Sequence, residues 1–217
     1  MANTTFNGPV RSQNGFQDIT TNTSTGAVTV NSTYDNDASI GGTLSVTGVS
    51  TFAGNAGPAA GTGITTGTGT IYASTVNNTG GMWHTSILMD LTGLASSGSG
   101  DIIGKAGTAS SNIGTTTVAL NGTILGGKLT CIETPAGGDP DIDLWYADES
   151  TGAEDAAITS LSNQVQMLNS GDLAAGSVLG IPVPPAAGKF MYLVTGAATN
   201  ADYTAGKILI EFFGYDA

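Results

Sequence analysis

The sequence contains very few basic residues. Five Lys and Arg residues stand against 17 Asp and Glu, which gives a formal net charge of −12 over 217 residues. No Lys or Arg lies between Ser12 and Gly104. Nucleic acids and anionic membranes are bound by cationic surfaces, which this composition cannot supply. No cationic segment followed by an apolar stretch opens the chain, and no apolar run approaches the roughly 20 residues of a membrane span. We therefore expect neither nucleic acid nor a membrane as a partner.

Residues that carry catalysis are equally scarce. Cys131 is the single cysteine, so no intrachain disulfide can form, and its apolar neighbours indicate a buried strand position rather than a reactive thiol. His84 is the single histidine, and a zinc site needs three or four nitrogen or sulfur ligands. No nucleophile elbow, phosphate-binding loop or dinucleotide fingerprint is present. The sequence predicts a protein that is not an enzyme, with no catalytic residue, cofactor or bound metal.

Residues 1–67 have a composition of their own. Large apolar residues are sparse and occur in short alternating bursts separated by glycines, which is typical of short strands. Ordering one backbone residue costs about 1–2 kcal/mol, whereas burying a Val or Leu returns about 1.5–3 kcal/mol. With so few apolar residues, this segment becomes ordered only against a partner. We interpret it as an extended assembly arm or slender stalk, with a flexible linker as the alternative, and expect Phe6, Val10, Phe16 and Ile19 to contact the partner.

Residues 68–217 carry the pattern of an all-β domain. Roughly eight strands are separated by turn signals every 8–15 residues, and no alternation of strands with helices is visible. The pattern predicts an antiparallel β-sandwich, jelly-roll-like and of about eight strands, drawn from nine strand-like segments at 68–76, 84–91, 101–103, 115–120, 123–125, 128–134, 141–146, 189–194 and 207–213. Asn121 and Gly122 indicate a hairpin turn. Residues 151–170 have helical spacing after a capping box, with an irregular strand as the alternative.

The densest charge lies in the run Asp139, Asp141 and Asp143. Alternate carboxylates can converge on a calcium ion, but Leu144 replaces the expected glycine and Ser150 replaces the closing glutamate. The simpler interpretation is a solvated edge strand. In that reading Ile142, Leu144 and Tyr146 face the core, while Asp141, Asp143 and Trp145 face outward.

Several segments resemble virion proteins of tailed phages. The segment 41–52, Gly-Gly-Thr-Leu-Ser-Val-Thr-Gly-Val-Ser-Thr-Phe, resembles segments common in phage fibre and virion proteins. Later segments of the sequence resemble a structural family of marine tailed phages, of the head decoration or cement type. These segments lie at 87–94, 100–105, 133–137, 141–144 and 203–207. The resemblance implies a β-sandwich on the outer capsid surface, with the major capsid protein as partner. It also implies a homo-oligomer, expected to be a trimer, whose N-terminal arm holds neighbouring subunits.

Two other functions stay open at this point. A trimeric phage fibre or receptor-binding protein would use the first part as a stalk and the second to bind host glycans. An enzyme such as a depolymerase is a third hypothesis, because pairs of carboxylates can hydrolyse glycosidic bonds. The hypothesis favoured by the sequence is a capsid decoration protein located in the virion and assembled in the host cytoplasm.

Overall fold

A computed structural model describes residues 19–22, 24–26, 28–30 and 55–216. The chain divides into two compact units, Met1–Thr51 and Phe52–Ala217. In the first unit, strands β1 (Ile19–Thr21) and β2 (Val28–Val30) form an antiparallel hairpin. The Asn22 side chain accepts hydrogen bonds from the backbone N–H groups of Ser24 and Thr25, which closes the turn between them.

Most of the regular elements described in the second unit are strands. They are β3 (Asn55–Ala56), β4 (Ile71–Thr79), β5 (Met82–Asp90), β6 (Ala95–Ser96), β7 (Asn112–Thr115), β8 (Thr123–Ala136), β9 (Ile142–Ala147), β10 (Val165–Leu168), β11 (Val178–Ile181), β12 (Phe190–Thr195), β13 (Ala201–Asp202) and β14 (Ala205–Tyr215). Two single-turn α-helices, α1 (Thr62–Thr65) and α2 (Val118–Asn121), and a 3-10 turn at Ile158–Ser160 complete the elements. None of the helices in the described part of the chain has the length and apolar composition of a membrane span.

The strands of the second unit form two principal sheets. A six-stranded sheet has the order β11-β8-β14-β5-β4-β3, and a four-stranded sheet has the order β10-β9-β12-β7. Neighbouring strands in both sheets are antiparallel. A short pair, β13 with β6, lies beside them. The predicted all-β, antiparallel fold class is confirmed.

One hydrophobic core joins the two sheets. Ile87, Leu129 and Ile210 of the six-stranded sheet belong to the same fully buried cluster as Leu144 and Leu193 of the four-stranded sheet. Side chains from two inner faces that meet in this way are the signature of a β-sandwich. The sandwich agrees with the sequence prediction, while the jelly-roll topology stays a prediction.

The four-stranded sheet is covered on its second face as well. Tyr192 and Val194, which alternate with core residues along β12, form a smaller buried cluster with Ile158. The Tyr192 hydroxyl donates to the Glu149 carbonyl and accepts a 3.2 Å hydrogen bond from the Gly152 N–H, so the connection after β9 is anchored on this face. Burial on both faces distinguishes this sheet from its six-stranded partner.

The boundary between the units lies earlier than the sequence indicated. It falls between Thr51 and Phe52 rather than after residue 67. β3 pairs with β4, and Ile64 of α1 is fully buried in the main core. The Gly61 N–H donates to the Asn112 carbonyl at 2.9 Å, which fixes this segment against β7. A single apolar residue in a Gly- and Thr-rich segment gave no sequence signal of this burial.

Five local predictions were wrong. The strand predicted at 115–120 is replaced by the end of β7 at Thr115 and by helix α2, and the strand predicted at 101–103 forms only isolated bridges. Asn121 and Gly122 end helix α2 instead of forming a hairpin, and β8 continues through the segments predicted as two separate strands. No long helix occupies residues 151–170: they contain the 3-10 turn and β10, which pairs with β9. The alternative of an irregular strand holds for Val165–Leu168. The apolar spacing there reflects Ile158 and Leu161 packing on the outer side of the four-stranded sheet.

Candidate interaction surface

The six-stranded sheet presents a broad second face to solvent, here called the outer sheet face. It is formed by every second residue of β4, β5 and β14, together with the outward residues of β8 and β11. Most of the exposed large hydrophobic residues of the described chain lie on it: Ile71, Met82, Leu88, Ile132, Val178, Phe213 and Tyr215. Exposed apolar side chains gathered on one face of a protein mark a candidate interaction site.

The strand register arranges these side chains in rows across the sheet. Leu88 stands opposite Leu209, which stands opposite Thr130, and Thr130 stands opposite Val178. At the other end of β14, Tyr215 stands opposite Met82. Cross-strand neighbours lie about 4.5–5.5 Å apart between Cβ atoms, so Leu88 with Leu209, and Met82 with Tyr215, form two short apolar bands across neighbouring strands.

Between these bands lies an ion-paired row centred on Glu211. Its carboxylate is 2.8 Å from Lys128 Nζ and 3.0 Å from His84 Nε2. The ring of His84 stacks on that of Phe213, with centroids 5.1 Å apart. Burial alone would raise the pKa of Glu211, but the bonds from Lys128 and His84 outweigh it and the pKa is lowered. The charge is therefore held in place between the two apolar bands.

A second ionic cluster lies beside the apolar band formed by Leu88 and Leu209. Lys207 Nζ lies 2.6 Å from Glu133 and 3.2 Å from Asp90. Hydrogen bonds to these two carboxylates raise the pKa of Lys207. Burial opposes ionisation of Asp90, but hydrogen bonds from Thr92 and the Lys207 ammonium lower its pKa on balance. Each charge on this face thus has a partner of opposite sign.

The group of Ser86, His84 and Glu211 resembles a serine–histidine–acid arrangement only in composition. Ser86 Oγ lies 3.4 Å from His84 Nε2, and Glu211 Oε1 lies 3.0 Å from the same nitrogen. A catalytic relay needs the hydroxyl on one ring nitrogen and the carboxylate on the other. His84 here serves as a cross-strand bridge to Glu211.

The acidic run at the start of β9 does not form the predicted solvated edge. β9 lies between β10 and β12, and Asp143 is buried. Its carboxylate accepts hydrogen bonds from the Ser170 N–H at 3.0 Å and from Gln166 Nε2 at 2.7 Å. The predicted alternation of faces holds, but the segment after β10 covers the outward side. Among the residues that the structure describes, no group of three or more His, Cys, Asp or Glu side chains is placed to hold a metal ion.

Asp141 is the least compensated of these carboxylates. Its Oδ1 is buried without a hydrogen-bond partner, against the backbone of Gly196. Burial is the main cause that raises its pKa, and the nearby Asp143, Asp139 and Asp172 raise it further. Burial likewise raises the pKa of Asp143, despite the two hydrogen bonds that it accepts.

Elsewhere the described surface has shallow concavities. One of about 220 Å³ is lined by residues such as Thr117, Ile124 and Pro185, and another of about 360 Å³ by residues such as Gly61 and Asn112. The residues that line both are apolar, small, hydroxyl- or amide-bearing, without an ionisable side chain. Cys131 is fully buried in the main core, as predicted, and burial raises its pKa.

The contact residues predicted in the arm fall largely beyond the described positions. Phe6, Val10 and Phe16 lie outside the described residues. Ile19 is the first residue of β1 and stands opposite Val30 in the hairpin register. Their predicted contacts with a partner stay a prediction.

Sequence reasoning missed the outer sheet face. β14 was identified as a strand, but the side that each residue faces was not assigned. The available signal was that Ile208, Ile210 and Phe212 alternate with Leu209 and Phe213, so both faces of the strand are apolar. An antiparallel strand with one solvated face normally alternates apolar and polar residues.

Comparisons with protein-family models, with curated proteins and with solved structures found no significant match to this chain.

Proposed function

We propose that this chain is a capsid decoration protein of a tailed phage, a non-enzymatic component that binds the outer capsid surface. The observation that supports this proposal is that the core of the sandwich and the leading residues belong to separate units. The hydrophobic core of the sandwich is formed by residues between Ala60 and Phe212, whereas residues 1–51 form a separate unit. The leading unit is then assigned to contacts with the major capsid protein, through the apolar residues Phe6, Val10, Phe16 and Ile19.

In this proposal the protein reinforces the capsid shell mechanically. The sandwich sits over joints between capsid subunits, and the arm adds short strands or apolar anchors to adjoining chains. Binding to the assembled shell, and not to its separated subunits, stabilises the shell by mass action. The β1–β2 hairpin has the alternating Thr and Val content of a segment able to pair with a further strand.

The test is the number and location of copies in purified virions. A copy number comparable with that of the major capsid protein, measured by gel densitometry, with labelling spread over the head in electron micrographs, is the expected result. A copy number far below it, with label confined to the tail or to sparse projections, would favour the fibre hypothesis. Absence of the protein from virions would overturn the proposal.

A further inference from the structure

The outer sheet face remains without a partner in the fold described above. Leu88 and Phe213, in the middle of the sheet, are 36% and 40% exposed, and Met82 at its end is 55% exposed. The equivalent side of the four-stranded sheet is covered by its own connection, as Tyr192 and Ile158 show. We propose that the outer sheet face is a self-association surface, on which a second copy of this chain packs face to face.

Charge is the first reason for choosing a second copy as the occupant. The outer sheet face carries Asp90, Glu133 and Glu211 against Lys128 and Lys207, a net of −1 out of the chain's −12 with His84 neutral. Two copies that met through surface carrying the remaining acidic residues, such as Asp148, Glu149 and Glu154, would bring like charges together, which repel. The outer sheet face is nearly neutral, so two such chains approach through it with little repulsion.

The second reason is that the charges on the outer sheet face are already paired. Glu211 is held by Lys128 and His84, and Lys207 by Asp90 and Glu133. Burying a charge costs most when it lacks a partner, and a paired charge loses only its remaining hydration. A partner can therefore cover the ion-paired row without leaving an uncompensated charge, while the flanking apolar bands supply the free energy of association.

The area of the outer sheet face sets the expected affinity of self-association. Four long strands at about 4.8 Å spacing, with nine or more residues at about 3.4 Å each, span roughly 600 Å² in projection. Two copies would bury roughly 1,200 Å², at the lower end of specific interfaces. We expect a reversible, concentration-dependent dimer.

Face-to-face packing of one surface on its own copy produces a twofold contact. This contact differs from the trimer that the resemblance to phage proteins implies. It also requires no capsid, because it is a property of the chain in solution. The inference and the proposed function can therefore fail separately: a chain that coats capsids as a monomer would overturn only the inference.

The experiment compares substitutions that place a charge on or off the outer sheet face. Leu88→Lys adds a cation to an apolar band of the face, and Phe213→Lys adds one at the exposed ring stacked on His84. Val118→Lys adds the same cation at a 53% exposed position in α2, off the face. Sedimentation velocity of the full chain over a concentration series gives the dimer Kd for each. We expect the wild type and Val118→Lys to dimerise equally. Leu88→Lys and Phe213→Lys should each raise the dimer Kd by about tenfold or more, since a twofold contact contains each substitution twice.

Three results would overturn the proposal. The first is a wild type that stays monomeric over the series, as it would if residues 1–51 covered the face within the same chain. The second is a dimer unaffected by both Leu88→Lys and Phe213→Lys. The third is an equal loss of dimer in Val118→Lys. Circular dichroism melting shows whether each variant keeps the fold of the wild type.

A cross-linking experiment tests the same contact without weakening it. Cys131 is fully buried, so a cysteine introduced on the surface is the reactive thiol of the described residues. Ser86→Cys places it in the ion-paired row at the centre of the face, and Val118→Cys places it off the face. A short bis-maleimide should join two chains of Ser86→Cys and few of Val118→Cys. Equal yields would contradict face-to-face packing.

Discussion

Lys128 and Glu211 stand directly opposite each other on β8 and β14, with Lys128 Nζ 2.8 Å from Glu211 Oε2. The Glu211 side chain is only 12% exposed although it belongs to a solvent-facing sheet surface. Side chains of the neighbouring rows and the His84 ring shield the Glu211 carboxylate from water. The Lys128–Glu211 pair therefore interacts more strongly than an exposed ion pair. This shielding gives the carboxylate a measurable role in stability.

Glu211→Gln should lower the free energy of unfolding by about 1–2 kcal/mol at neutral pH, because it removes a charge held by two partners. Glu133→Gln is the matched control. Glu133 pairs with Lys207 but is 44% exposed, so its loss should change stability by about 0.5 kcal/mol or less. Urea denaturation of the three proteins measures both effects. A larger effect at Glu133 would contradict the shielding argument.

The Glu211 effect should depend on pH with a defined sign. The folded-state pKa lies below the ordinary value of 4.5, so the stabilisation is present above that value and is lost as the pH falls through the folded-state pKa. The difference in unfolding free energy between wild type and Glu211→Gln should therefore shrink below pH 4.5. A difference that grows with acidification would show that the ion pairs do not lower this pKa.

Asp141→Asn should act in the opposite direction. Burial and three nearby carboxylates raise the folded-state pKa of Asp141 above its ordinary value of 3.8, so its charged form destabilises the fold at neutral pH. Removing the charge should stabilise the protein on the order of 1 kcal/mol, the lower range for an unpaired buried polar atom. The gain should shrink as the pH falls through the raised pKa and disappear below the ordinary value of 3.8. Thermal melts over a pH series, with the exposed Asp202→Asn as control, would reveal it.

Gly93 is required by its conformation and its surroundings. Its φ is +83°, and an added Cβ would lie 2.1 Å from the Thr68 carbonyl oxygen. Gly107 has a similar φ of +70°, but a Cβ there would meet nothing within 4 Å. We expect Gly93→Ala to cost about 3 kcal/mol of stability and Gly107→Ala about 1 kcal/mol, the left-handed conformation alone. Chemical denaturation measures both, and equal losses would show that the contact with Thr68 relaxes freely.

Deletion of residues 1–51 should leave the sandwich folded, because its described core runs from residue 60 to residue 212. The melting temperature should change little, while binding to capsids should be lost if the leading unit is the capsid contact. Deletion of residues 1–67 also removes β3 and the fully buried Ile64, and should cost about 2–5 kcal/mol. Differential scanning calorimetry separates the two outcomes. Equal melting temperatures for the two deletion variants would show that the sandwich begins after residue 67.

Prediction from sequence succeeded where the pattern is local. The strand-length apolar runs at 189–194 and 207–213, and the turn residues between strands, identified the strands because both signals lie within a few neighbouring residues. It failed at 151–170, where apolar spacing suited a helix but the residues pack on a sheet that is distant in sequence. It also failed at Asp143, whose outward direction was correct but whose burial depends on Ser170 and Gln166.

The sequence by itself determined the class of the protein. Few cations, one histidine, one cysteine and repeated period-two alternation specify an acidic antiparallel β protein, because composition and alternation act residue by residue. The tertiary structure alone decided which faces are covered. Leu88 and Phe213 stay exposed while Tyr192 and Asp143 are buried, because covering a face depends on the path of connections between strands, and no local pattern encodes that path.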